Sequence, residues 1–230
     1  MNELFQTSTY FGMFLSLGTY FIGTLVHKKW KSPLTNPMIV AIVLVIATLL
    51  VFDIDYQVYD QSAKYLGYFL TPATVCLAIP LYRQLESLKK HFRAIILGIC
   101  SGVLASALSI LLLCLVFHLS HADYVTMLPK SVTTAIGMSL SQELGGIPAI
   151  TVAAIAVTGI SGNCSAVFLC RLFRITDPVA KGVAIGTASH AFGTTKALEL
   201  GEVEGAMSSL SIAVCGLLTV ICAPIFAGLL

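Results

Sequence analysis

The chain has 230 residues, of which 57% are hydrophobic and only 10% charged, with a formal net charge of +2. Soluble domains carry about 25% charged residues, so this composition excludes an ordinary soluble enzyme, and so near-neutral a balance argues against a nucleic-acid partner. The seven cysteines all lie in apolar runs without a C-x-x-C pair; they read as small packing residues, and no metal, disulfide framework or cofactor is expected.

Uncharged runs of at least 18 residues predict spans at Leu4–Val26, Ser32–Phe52, Tyr65–Tyr82, Ala94–Phe117, Gly145–Cys170 and Gly205–Leu230. A helix needs about 20 residues to cross the hydrocarbon core, and helices suit such runs because lipid offers no partner to a free backbone group. Glu3, not a basic stretch, precedes the first run, and no A-x-A cleavage site follows it. It therefore reads as a span and not as a signal peptide.

Loop charge sets the expected orientation. Lys28, Lys29 and Lys31 follow the first run, Arg83, Lys89, Lys90 and Arg93 the third, and Arg171, Arg174 and Lys181 the fifth. The positive-inside bias makes these loops cytoplasmic. Asp53, Asp55 and Asp60, with Lys64 alone, fall on the other side, so the N-terminus is expected outside.

With that orientation, Tyr124–Leu144 must leave and return on one face. Its uncharged stretch, Ser131–Gln142, has 12 residues, and Gly182–Thr195 has 14. Both are too short to cross, so each predicts a re-entrant half-helix, the two entering from opposite faces. An internal echo supports this pairing: Pro129 and Pro178 are each followed, after five residues, by Ala-Ile-Gly (Ala135-Ile136-Gly137 and Ala184-Ile185-Gly186). A second match, Ile155–Ile160 against Ile212–Leu217, follows in the same order. The fold predicted is an all-α polytopic membrane protein of about six spans plus two re-entrant half-helices in an inverted repeat. It forms one membrane domain over 1–230, with a four-span part at 1–123 and repeats at 124–177 and 178–230.

The short segments carry the chemistry. Proline suits a first helical turn, where its missing N–H has no intrahelical partner, and a helix N-terminus attracts anions. Lys130, Ser131, Thr133 and Thr134 border the first half-helix, and Ser189, Thr194 and Lys196 the second. These seven are the predicted contacts of a small anion; His190, Glu204 and Asn163 are candidates for coupling or support. Ionisable groups at depth must face a cavity or partner, and Glu204 abuts the last span. The competing reading makes Ser131 a cap and pairs Lys196 with Glu199 at the surface. Catalysis lacks support: no G-x-S-x-G, H-E-x-x-H or phosphate-loop pattern occurs, and adjacent Ser189 and His190 point different ways on a helix.

Three segments carry a resemblance: Thr71–Tyr82, Pro129–Ile136 and Ser189–Glu199, the last continued by Glu202–Leu210. On these the chain resembles the LrgB/CidB family of bacterial membrane proteins. Ala135 and Lys196 depart from the proline and arginine usual there; lysine keeps the charge but loses the bidentate fork. The resemblance implies two functions. One is transport of a small carboxylate of the glycolate, glycerate, pyruvate or lactate class across the bacterial cytoplasmic membrane. The other is a holin- or antiholin-like role modulating murein hydrolase activity and autolysis. It further implies a small LrgA/CidA-type membrane partner; a homo-oligomer is left open, and membrane lipid surrounds the chain.

Overall fold

The structure is a computed structural model that describes residues 10–30, 35–69, 72, 75–76 and 78–230. Secondary structure among the described residues is entirely helical, and the chain forms two compact units, Met1–Cys76 and Leu77–Leu230.

In the first unit, α1 spans Phe11–Trp30, α2 Pro37–Val51 and α3 Tyr56–Ala63, followed by a 3-10 turn at Lys64–Phe69. Gly12 lets α1 approach α3: its N–H donates to Ser62 Oγ at 2.7 Å, and a side chain there would strike the Tyr59 carbonyl. Ser16 Oγ lies 2.8 Å from Tyr59 Oη in the same seam.

The second unit contains α4 (Ala78–Arg83), α5 (Leu85–Val116), α6 (His121–Met127), α7 (Thr134–Glu143), α8 (Pro148–Leu172), α9 (Pro178–Leu200) and α10 (Glu202–Ala227). Among the described residues, three stretches are long and apolar enough to cross a membrane: Lys89–Val116, Pro148–Leu172 and Glu202–Ala227. Each presents large apolar side chains outward: Leu97 is 69% exposed, Val157 68% and Leu217 64%. Such surfaces belong against lipid.

These three match the fourth, fifth and sixth expected spans; the others differ. Residues 4–9 of the first lie outside the described residues, and α1 runs on to Trp30. The second shortens to 15 residues, about 22 Å of helix, because Asn36 caps it, Pro37 opens it and the chain turns at Asp53 with φ 49°. The third appears as the 3-10 turn Lys64–Phe69 and the short α4; residues 70, 71, 73, 74 and 77 lie outside the described residues.

Two hairpins sit among the long helices. α6 and α7 form the first. Ser120 opens α6 with a capping box to Asp123. After Met127 two turns lead through Pro129 to Thr133, the N-cap of α7. The Thr151 hydroxyl of α8 ties the pair, donating to the Thr126 carbonyl at 2.8 Å and lying 2.7 Å from Ser141 Oγ.

The second hairpin lies inside α9. His190 has φ 41° and ψ −136°, which divides the helix into arms Pro178–Ser189 and Ala191–Leu200. In a straight helix, residues eight apart stand about 12 Å from each other. Here Gly193 lies directly against Ile185, so that a side chain at 193 would meet the Ile185 carbonyl, and Ala197 joins Ile185 and Ala166 in one buried cluster. The chain folds back on itself at His190.

The hairpins enter from opposite ends of the bundle. The first packs on the C-terminal parts of α5 and α10, where Tyr124 Oη donates to the Phe226 carbonyl at 2.9 Å. The second packs on their N-terminal parts: Gly182 faces Glu204 and Met207, and Val183 faces Gly98.

Candidate functional site

The reversals meet near the middle of α10. Cys215 Sγ lies 3.9 Å from the Ser131 carbonyl and 3.8 Å from the Thr187 carbonyl. Between them is a recess lined by Val103, Ser106, Ser131, Thr187, Cys215 and Thr219, with ≈ 20 Å³ free to a water-sized centre. That is room for one water. Ser106 Oγ reaches Ser131 Oγ at 3.2 Å. Thr187 Oγ1 is buried and has no hydrogen-bond partner.

Lys130 is half-buried at the first tip, its Nζ donating to Ser131 Oγ at 3.2 Å. The ion pairs among the described residues are Arg83–Glu202 and Lys196–Glu199, and neither involves Lys130. Thr133 caps α7 without a side-chain bond to the first-turn N–H groups. The tip thus joins an ammonium to the positive end of a ten-residue helix. Thr134, the first residue of α7, is exposed.

At the second tip His190, Thr194, Asn163 and Lys196 each have a partner, while Thr187 Oγ1 has none among the described residues. His190 is buried. Its Nε2 donates to the Ile155 carbonyl at 3.1 Å, which fixes the Nε2–H tautomer. Ser189 packs against Gly162 and the imidazole against Gly159, where side chains would collide with them. Thr194 Oγ1 donates to the His190 carbonyl at 2.9 Å and lies 2.7 Å from Ser208 Oγ. Asn163 Nδ2 donates to the Phe192 carbonyl at 2.6 Å and to Thr195 Oγ1 at 3.0 Å. Lys196 Nζ sits 2.8 Å from Glu199 in an i,i+3 pair. Glu204 is buried in the first turn of α10, its carboxylate against Gly201.

The predicted anion contacts therefore divide. Lys130 and Ser131 stand together at the first tip beside the recess. Ser189 and Thr194 are buried in the second hairpin's own packing, and Lys196 holds Glu199. Pro178 opens α9 as expected, but Pro129 sits before the first reversal and not at a helix start: without an N–H it interrupts the ladder continuing from α6, and Thr133 takes the cap. Ser106 and Thr187 line the recess and were outside the predicted set. An isolated hydroxyl in an apolar helix usually bonds its own backbone, so the sequence carries no signal for either.

The LrgB-like family matches this chain over residues 16–229. The chain is 39% identical over 218 residues to the antiholin-like protein LrgB of Bacillus cereus (strain B4264), covering 94% of this chain and 95% of that relative. The antiholin-like protein LrgB of Bacillus anthracis (strain CDC 684 / NRRL 3495) matches with the same identity and coverage. No solved structure matches the chain. A family match over nearly the whole length, joined to three apolar helices able to cross a bilayer, makes this a membrane protein that belongs to the LrgB-like family.

Proposed function

We propose that the chain acts as an antiholin-like membrane protein, the role for which its relatives are named, ahead of the primary carboxylate carrier that the residue pattern predicts. The observation that carries this reading is the 39% identity over nearly the full length of both chains. In this reading the chain modulates murein hydrolase activity and autolysis beside a small LrgA/CidA-type membrane protein. Expression in bacteria lacking their own LrgB-type protein should slow detergent-induced autolysis and lower murein hydrolase activity. Unchanged values, with insertion verified by membrane fractionation, would overturn it.

A second reading, binding and carriage of a small carboxylate, rests on Lys130. A lysine at mid-bilayer costs about 2.5–3.5 kcal/mol on insertion scales, and this one has no carboxylate partner among the described residues to offset that. Hairpins entering from opposite ends, with tips near mid-bundle, match the plan of secondary transporters. We read them as the re-entrant pair of an inverted repeat within a six-span scheme, the N-terminus outside. The ≈ 20 Å³ recess makes this an occluded arrangement that must open to load. Counter-flow of radiolabelled glycolate, pyruvate and lactate in proteoliposomes, with and without the small partner, tests it. Saturable, mutually competitive exchange is expected, and leakage without competition refutes it.

A further inference from the structure

A second cavity lies well away from the two tips, where α8 ends and α9 begins. It is an open groove of ≈ 560 Å³ lined by Arg171, Arg174 and Lys181 together with Val167, Cys170, Ile175, Thr176 and Leu200. None of the three cations takes part in an ion pair among the described residues. The nearest acid in sequence, Asp177, is committed to capping α9, its Oδ1 accepting from Ala180 N at 2.9 Å.

The backbone shapes the cavity. α8 stays apolar up to Cys170 and then meets Arg171. Arg174 takes φ 54°, and the Ile175 N–H returns to the Cys170 carbonyl at 2.8 Å. This closing turn folds Ile175 and Thr176 back over the helix end to form one wall. Leu200, at the far end of the second hairpin, contributes another. Three cations therefore line a groove whose other walls are mostly apolar, at the C-terminal end of α8.

We propose that this cavity binds the phosphodiester headgroup of an anionic phospholipid, with Arg171 and Arg174 on the phosphate oxygens and Lys181 as a third charge. Guanidinium forks suit phosphate geometry, and a basic pocket between spans at the charged face is a recurring headgroup site. The apolar walls and the exposed Phe168 and Leu172 on the same helix favour a lipid over free phosphate, because an acyl chain can continue along them.

The test uses the purified full chain in a neutral detergent and reads the thermal midpoint against added phosphatidylglycerol, phosphatidylcholine or inorganic phosphate at fixed ionic strength. Phosphatidylglycerol should raise the midpoint more than either of the others. The Arg171→Gln/Arg174→Gln variant should need roughly fivefold more lipid per arginine lost, at about 1 kcal/mol each near the membrane surface. Lys89→Gln, outside the cavity, should behave as the parent does. If the glutamine variant does not fold, Arg171→Lys/Arg174→Lys keeps the charge and should still bind more weakly through loss of the forks. Equal stabilisation by phosphatidylcholine, equal stabilisation by free phosphate, or an undiminished phosphatidylglycerol effect in the folded variants each overturns the proposal.

Discussion

The two hairpins solve one geometrical problem with different means. The first turns over several residues, through Pro129, Lys130 and Ser131, and leaves an ammonium without a counter-ion among the described residues and a helix start without a side-chain cap bond. The second turns at one residue, and His190, Thr194 and Asn163 bond inside the bundle, whereas Thr187 Oγ1 has no partner among the described residues. Glycines at 159, 162 and 186 bring neighbouring backbones against it. The second tip spends most of its polar groups on packing, whereas the first keeps a half-buried ammonium outside any ion pair among the described residues.

The largest effect should come from crowding the second hairpin. Gly186 faces the Ser208 backbone, and a Cβ there has no room. Gly186→Val should destabilise by at least the upper end of the overpacking range of about 1–3 kcal/mol, read as a lowered thermal midpoint in detergent. An unchanged midpoint would mean that the hairpin yields, and the contrast between the tips would lose its basis.

The first hairpin should respond the other way. Lys130→Met removes a poorly compensated charge, so the unliganded midpoint should hold or rise. Any stabilisation by added pyruvate or glycolate should fall by the roughly 1.5–3 kcal/mol typical of a hydrogen bond to a charged group. Retained stabilisation by carboxylate would remove Lys130 from ligand binding. Lys196→Ala, measured beside it, decides between the two lysines. Its ammonium already holds Glu199, and the geometry assigns it the weaker effect on binding.

Smaller again is Asn163→Ala, which leaves the Phe192 carbonyl without its 2.6 Å donor. Thr195 Oγ1 still donates to that carbonyl at 2.8 Å, so the change removes one net hydrogen bond, about 0.5–1.5 kcal/mol, and the midpoint should drop by less than for Gly186→Val. Last comes Arg83→Gln. The Arg83–Glu202 side chains are 65% and 63% exposed, and pairs of this kind contribute about 0–1 kcal/mol, so a midpoint within error of the parent is expected. A large drop would reveal a contact beyond the ion pair.

Much of the second unit was legible from residues. The long apolar runs gave the three membrane-length helices, and 12 uncharged residues from Ser131 to Gln142 were too few to cross. The location of the second reversal was not legible. Ala188-Ser-His-Ala-Phe192 contains neither glycine nor proline, the usual signals of a break. The break is held instead from α8, by the Ile155 carbonyl, Gly159, Gly162 and Asn163. A hydropathy window reads side chains and not the path of the backbone, so Gly182–Thr195 straddles the turn without marking it. The Pro129–Pro178 echo has the same weakness: it aligns composition, while one proline lies near a tip and the other at the foot of an arm.

The seam between the second hairpin and α10 also sets a timetable. Gly182 and Gly186 rest on Glu204, Met207 and Ser208, and Gly205 rests on Leu198, so the hairpin's bearing surface lies on a helix that follows it in the chain. During synthesis at about 5–20 residues per second, the 26 residues of α10 take a few seconds to emerge. Over that interval the hydroxyl of Thr194 lacks Ser208, and the small-residue face of α9 lacks its cover. The reversal at His190 can form on α8 as soon as it is made, whereas the hairpin's bearing on α10 is a late contact that waits for that helix to emerge.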